Sequence, residues 1–273
     1  MRRARKVCGG LLAIVFIFIL SYAGYVHVRN LKEAEADILV SSVVKEPFPT
    51  CQSEPERYSP PTAEKDTDSL LLDVPYISQK ELLPTGCEII SALMLLQYYG
   101  YDITADQFID MYLDTGAFWR ENGKLRGRDP AAVFMGDPKT VNGYGCFAPV
   151  IVNSLNRILQ DGMVAQETGQ TSLETLTNEY LKRGVPVLVW ASIEMREVLP
   201  GTAWTIWPSG EEFIWPRNEH CLVLAGYDEE SFYFNDPYEG KGVAAYPKAL
   251  AERRFLELGR QSVAILDPKL QKN

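Results

Sequence analysis

The 273-residue chain carries 27 basic and 36 acidic residues, a formal net charge of -9, with 46% hydrophobic and 11% aromatic content. That length and apolar content support one sizeable core, so a single globular domain is expected. Residues 1–30 hold five basic side chains and no acidic one; the 27 less these five leave 22 basic against 36 acidic, a charge of -14, which repels phosphates and excludes nucleic acid as a partner.

At the N-terminus, MRRARK is followed by VCGGLLAIVFIFILSYAGYVHV, uncharged from Val7 to Val28 and long enough for the roughly 20 residues a spanning helix needs. The basic flank belongs on the cytoplasmic side, which puts the rest of the chain outside. Residues 1–29 therefore read as a membrane anchor, with a cleaved signal peptide as the alternative because Ser21-Tyr22-Ala23 offers small residues where a signal peptidase inspects. In the first case the domain is held at the cell membrane by a single pass, and in the second it is secreted. Cys8 precedes the apolar run without a lipobox, so no lipid is expected on it.

Residues 30–68 turn to EAEAD, KEPFPT and PERYSPPTAEKDTD, rich in proline and charge with little apolar period, and read as an extracytoplasmic linker. From 69 to 273 helical and strand patterns alternate. Cys87 opens CEIISALMLLQYYG, where Ile89, Ile90, Leu93, Leu96 and Tyr99 fall at helical spacing and Gly100 supplies a stop, predicting the central helix. Further helices are predicted in TADQFIDMYLD, FAPVIVNSLNRILQDG and SLETLTNEYLKRG. Strands follow at PVLVWASI, HCLVLAGYD, SFYFNDP and SVAILDP, and the short Asp228-Glu229-Glu230 connection predicts a hairpin between the second and third. Helices followed by an antiparallel sheet give an α+β fold class.

The chemistry narrows by elimination. There is no G-x-S-x-G elbow, no H-E-x-x-H and no glycine-rich phosphate loop, which removes the common serine hydrolase, zincin and nucleotide signatures. Only two histidines exist, and His27 belongs to the apolar N-terminal segment, so imidazole chemistry in the domain must use His220. No metal and no cofactor are expected. Of five cysteines, none forms a C-x-x-C pair. Cys87 stands apart because it follows Pro84-Thr85-Gly86 at the start of an apolar helix, where backbone N–H groups and the helix dipole favour thiolate. His220, at the start of a strand, is the candidate base, and Asp236 across the hairpin is its candidate orienter, Asn235 facing the other side. Gln79 is the candidate oxyanion donor together with the Cys87 N–H. Cys146 and Cys221 read as structural, Cys221 pointing away from the face of His220, and with Cys51 they leave an odd count that implies no full disulfide framework.

The succession DVPYISQ, PTGCEIISALMLLQYYG, GYGCFAPVI, GVPVLVWASI, EHCLVLAGYD and FYFNDP, from about Leu72 to Asp236, resembles the extracellular C39-like peptidases, a branch of the papain-like fold related to peptidases that trim double-glycine leader peptides. Carried over position by position, the resemblance implies Cys87 as nucleophile, His220 as base, Asp236 as orienter and Gln79 in the oxyanion hole, on a papain-like fold whose nucleophile helix packs on an antiparallel sheet. The chain departs from the leader-trimming members in having no transporter membrane domain or ATPase, which argues against their substrate.

Three function classes follow: a thiol hydrolase of peptide or amide bonds, an acyltransferase using the same acyl-enzyme, and a non-catalytic cell-surface binding module. Intact Cys87, His220, Asp236 and Gln79 argue against the third; the first is the expectation adopted, with a peptide or protein substrate and a monomeric chain, and the products formed with and without an added amine separate it from the second. The tryptophan-rich stretch 194–219, holding Trp204, Trp207 and Trp215, has little periodicity and is expected to be a loop that walls the substrate groove. GRDPAAVFMGDP reads as a turn-rich insertion with no assigned purpose.

Overall fold

The computed structural model describes residues 68–80, 82–240 and 242–268. Residues 1–67, which hold the expected anchor and nearly all of the expected linker, lie outside them. Among the described residues no helix is long and apolar enough to cross a membrane.

In chain order, β1 (Leu70–Leu71) leads to helix α1 (Cys87–Tyr98), then to a short turn α2 (Ala105–Gln107) that continues as a π-helical turn (Phe108–Tyr112). Next come β2 (Thr115–Gly116), β3 (Trp119–Glu121), β4 (Lys124–Gly127), β5 (Phe134–Met135), α3 (Ala148–Asn156), β6 (Val164–Glu167), α4 (Leu173–Glu179) and β7 (Val187–Ser192). The chain then runs through β8 (Leu199–Ile206), β9 (Glu212–Arg217), β10 (Glu219–Tyr227), β11 (Ser231–Asp236), β12 (Gly242–Pro247), α5 (Lys248–Glu257) and β13 (Ser262–Leu266).

Seven strands form one sheet in the order β12-β11-β10-β7-β13-β6, with β1 added on β10 and every pairing antiparallel. Every residue of β7 and β10 is buried because helices cover both faces of the sheet. Leu188, Trp190, Cys221 and Val223 share one core with α1 and α3, while Val189, Leu222, Leu224 and Phe234 share another with α4 and α5. Each such Leu or Val contributes about 1.5–3 kcal/mol by leaving water. Within this mixed, mostly sheet fold the alternation along β10 is decisive. Cys221 faces α1, and the His220 side chain, one residue earlier, turns to Asp236 on the neighbouring strand.

Helix α1 is apolar all round and buried from Cys87 through Leu96. Gly100, at φ +82, ends it: its N–H reaches the Gln97 carbonyl and the Tyr101 N–H reaches the Leu96 carbonyl. A cross-link fixes its height on the sheet, the Ser91 hydroxyl donating to the Cys221 carbonyl at 2.9 Å.

Two features depart from the sequence expectations. Helices do not all precede the strands, since β6 lies between α3 and α4 and α5 lies between β12 and β13. The stretch 194–219 is not a loop: β8 and β9 pair as a hairpin and join β4 and β3 in a four-stranded sheet. Its register shifts between Pro200 and Ala203, and Pro216 sits within β9, which breaks the alternation a sequence pattern needs. Trp204 and Trp215 are buried with Met135 in a third core, Trp215 stacking on Phe147 with centroids 5.6 Å apart. Trp204 also lines a surface pocket with Leu125 and Ala203. Trp207 is 51% exposed and, with Trp119 and Arg128, lines a surface pocket of about 430 Å³.

Candidate active site

The nucleophile candidate sits where the backbone is forced to be bare. Gly86 precedes Cys87, and a Cβ there would come within 2.7 Å of the Leu83 Cβ, so only glycine lets the 83–86 turn close onto the helix. No side chain caps α1 at Gly86, which leaves its first N–H groups for a ligand. Cys87 is 6% exposed, and its thiol donates to Glu88 Oε2 at 3.2 Å. Burial pushes this thiol well above its ordinary range, and the carboxyls of Glu88 and Glu219 add to the rise; the Cys221 N–H, bonded to the sulfur, pulls the other way.

His220 and Asp236 are brought together. His220 Nε2 lies 2.8 Å from Asp236 Oδ1, both side chains being buried. Asp236 Oδ1 also accepts the Tyr238 N–H at 2.9 Å, and Oδ2 accepts the Tyr246 hydroxyl at 3.3 Å. A carboxylate with these donors keeps the proton on Nε2 and leaves Nδ1 as the basic nitrogen of the ring. Asn235 turns to the other face, donating to the Val74 carbonyl at 2.9 Å. Gln79 is anchored by its backbone N–H to the Pro237 carbonyl, and its side-chain amide donates to the Pro84 carbonyl at 3.2 Å, beside the turn into Cys87. The second N–H of that amide has no hydrogen bond among the described residues.

Cys87 and His220 share no hydrogen bond among the described residues. They are nonetheless neighbours through the backbone, because the sulfur is bonded by the Cys221 N–H and its distance to the Glu219 carboxyl is under 4.8 Å. It is thus bonded to the residue after His220 and lies near the carboxyl of the residue before it. Cys146 and Cys221 are free and buried, as is Cys87.

Two carboxyls in this site have no counterpart in the sequence expectations. Glu88 is fully buried; its Oε1 accepts the Cys146 N–H at 2.7 Å, while the Trp190 indole donates to the Cys146 carbonyl at 2.9 Å. Gly145 makes that approach feasible, since a Cβ there would lie 2.3 Å from Glu88 Oε1. Burial pushes Glu88 up to about 7 against the hydrogen bonds that favour its charge. Glu219 is 7% exposed with its Oε1 buried and unpartnered, and burial, then the charge of Glu88, push it well above the carboxylate range. The Cys87 sulfur and the Glu88 and Glu219 carboxyls lie within 4.8 Å of one another, a spacing that could also hold a metal ion; Glu88 Oε2 accepts from the Cys87 thiol and Oε1 from the Cys146 N–H. One signal for Glu88 exists in the sequence: a charged residue in a helix apolar on every side has no solvent face to occupy.

Comparison with known proteins adds three findings. The profile of the Peptidase_C39 like family matches residues 71–263. YvpB of Bacillus subtilis, a protein of uncharacterised function, is 29% identical over 196 residues, covering 71% of this chain and 75% of that protein. A crystal structure described as a C39-like peptidase from Bacillus anthracis superposes with a TM-score of 0.64 at 26% identity, covering 73% of this chain and 98% of the other.

Proposed function

The chain belongs to the Peptidase_C39 like family across residues 71–263, and from that premise we propose that it is a cysteine peptidase with Cys87 as nucleophile, His220 as general base, Asp236 as orienter and Gln79 as oxyanion donor. The observation that carries the reading is the buried His220–Asp236 pair, 2.8 Å apart, with the Cys87 sulfur bonded to the residue after His220 and near the carboxyl of the residue before it. We read the arrangement as papain-like: a thiol at a helix N-terminus and an imidazole with its acceptor on an antiparallel sheet.

In this mechanism the thiol leaves Glu88 Oε2 and passes its proton to His220 Nδ1, while Asp236 holds Nε2–H and stabilises the imidazolium. Such contacts commonly tighten only when substrate binds. The thiolate attacks the substrate carbonyl carbon, and the oxyanion accepts hydrogen bonds from the free Gln79 amide N–H and the Cys87 N–H. His220 returns its proton to the leaving amine; water then hydrolyses the acyl-enzyme. The substrate is a peptide or protein met outside the membrane, held near it if residues 1–29 remain as the anchor. No cofactor enters the scheme, and the chain acts as a monomer.

The test is product analysis by mass spectrometry after incubating the full chain with unstructured polypeptides, with and without an added primary amine. Hydrolysis gives free carboxyl termini from wild type and none from Cys87→Ala. Products capped by the amine in preference to water would assign acyl transfer instead, and intact substrates throughout would leave the binding module as the better account.

A further inference from the structure

The scheme above gives Glu88 and Glu219 no task, yet a buried carboxyl at the nucleophile is costly and needs one. Glu88 Oε2 holds the Cys87 thiol at 3.2 Å, Oε1 is pinned by the Cys146 N–H at 2.7 Å, and the Glu219 carboxyl completes a cluster whose S and O atoms lie within 4.8 Å of one another. The groups facing this cluster come from four elements. Helix α1 supplies the Cys87 thiol and the Ser91 hydroxyl, which is spent on the Cys221 carbonyl. The segment before α3 supplies the Cys146 N–H and thiol, β10 supplies Cys221, and β9 supplies the Trp215 ring, packed against Gly145. None of these is a cation, His220, the proposed base, is bonded to Asp236 and not to this cluster, and among the described residues neither glutamate has an ion-pair partner. Two carboxylates this close, out of water and without a cation, cannot both be ionised, so the cluster retains at least one proton over a wide pH range.

We propose that Glu88 governs the protonation of the Cys87 sulfur, donating to the thiolate when it carries its own proton and holding the sulfur as S–H when it does not, with Glu219 remaining protonated beside it. The inference rests on Cys87 being the nucleophile. The protons balance simply. On activation the S–H proton goes to His220 Nδ1, while the Glu88 O–H bond stays intact and turns toward the sulfur. When Glu88 loses its proton to water, its charge opposes the thiolate, and the S–H bond is retained. The site is thereby tuned to the acidic side of neutrality, consistent with Glu88 being pushed up to about 7.

Glu88→Gln tests this, because the amide is neutral at every pH, can accept from the Cys146 N–H and can donate to sulfur. The readout is the rate of Cys87 alkylation by iodoacetamide in the full chain, with the alkylated cysteine identified by peptide mapping. The ratio of variant to wild-type rate is expected near one at about pH 5.5, where Glu88 is protonated in wild type, and about tenfold or more at about pH 8.5. Glu219→Gln should leave the wild-type profile in place, its carboxyl being neutral already. A ratio for Glu88→Gln that stays flat with pH overturns the proposal, as does a Glu219→Gln shift as large as that of Glu88→Gln. Should Glu88→Gln fail to fold, carbon-13 NMR of carboxyl-labelled glutamate in wild type decides: two carboxyls still protonated at about pH 6 support it, and none contradicts it. His220→Ala run alongside separates this inference from the triad. Loss of reactivity in His220→Ala with a flat Glu88→Gln ratio keeps the triad and removes the Glu88 control, and the reverse pattern does the opposite.

Discussion

Replacing Glu88 with glutamine should also change how stability depends on pH. The folded chain holds Glu88 at about 7 against an ordinary 4.5, so folding takes up a proton between those values. Stability from this group is full below pH 4.5 and is lost as the pH rises through about 7, because the ionised form must be buried. At about 1.4 kcal/mol for each tenfold change in proton affinity, the loss amounts to about 3 kcal/mol. Glutamine carries no charge to bury and can still accept from the Cys146 N–H. Urea denaturation at several pH values should therefore show the Glu88→Gln variant gaining about 3 kcal/mol on wild type between about pH 4.5 and pH 8. Parallel stability curves for the two proteins would refute the buried-carboxyl argument, because removing the Glu88 charge also relieves Glu219, which adds to the variant's gain at high pH instead of masking it.

Other changes should separate chemistry from scaffolding. Gln79→Ala removes the proposed side-chain oxyanion donor and should lower kcat by about 10²–10³-fold with little change in KM; a rise in KM alone would count against that role. Asp236→Asn loses the carboxylate that fixes the His220 tautomer, so steady-state kinetics should show kcat falling by at least about 10²-fold, and an unchanged kcat would remove Asp236 from the site. Trp204→Ala should cost about 3–5 kcal/mol in urea denaturation because it empties the third core. Trp207→Ala, at a half-exposed position whose main contact is the Arg128 guanidinium 5.4 Å from the ring centroid, should cost no more than about 1 kcal/mol.

Where one physical signal dominates a segment, the sequence predicts the structure well. Helix α1 follows from continuous apolar spacing and the Gly100 stop, and β7, β10, β11 and β13 follow from short β-branched and aromatic runs buried between two helical layers. The His220–Asp236 contact follows too, since alternation in the β10–β11 hairpin puts both on one face and Asn235 on the other. The β8–β9 hairpin does not follow, because Pro200 and Pro216 read as breakers and its buried rings, Trp204 and Trp215, pack on residues distant in sequence. Helix α5 also leaves a trace in the sequence, Ala251 and Phe255 within it and Leu258 at its C-cap falling at helical spacing among charged residues. The Glu88–Glu219 cluster is tertiary. These residues are 131 positions apart (219 less 88), and only the seating of α1 on β10 reveals that both carboxyls turn inward.

The central claim, that Cys87 and His220 form a reacting pair, is tested most directly by intact-mass labelling with limiting iodoacetamide between about pH 5 and pH 9, comparing wild type with Cys87→Ala and His220→Ala. The account predicts a single label at Cys87 that goes on already on the acidic side of neutrality, is absent in Cys87→Ala and is slowed in His220→Ala. A Cys87 that reacts no faster than an ordinary thiol and is indifferent to His220 would contradict it.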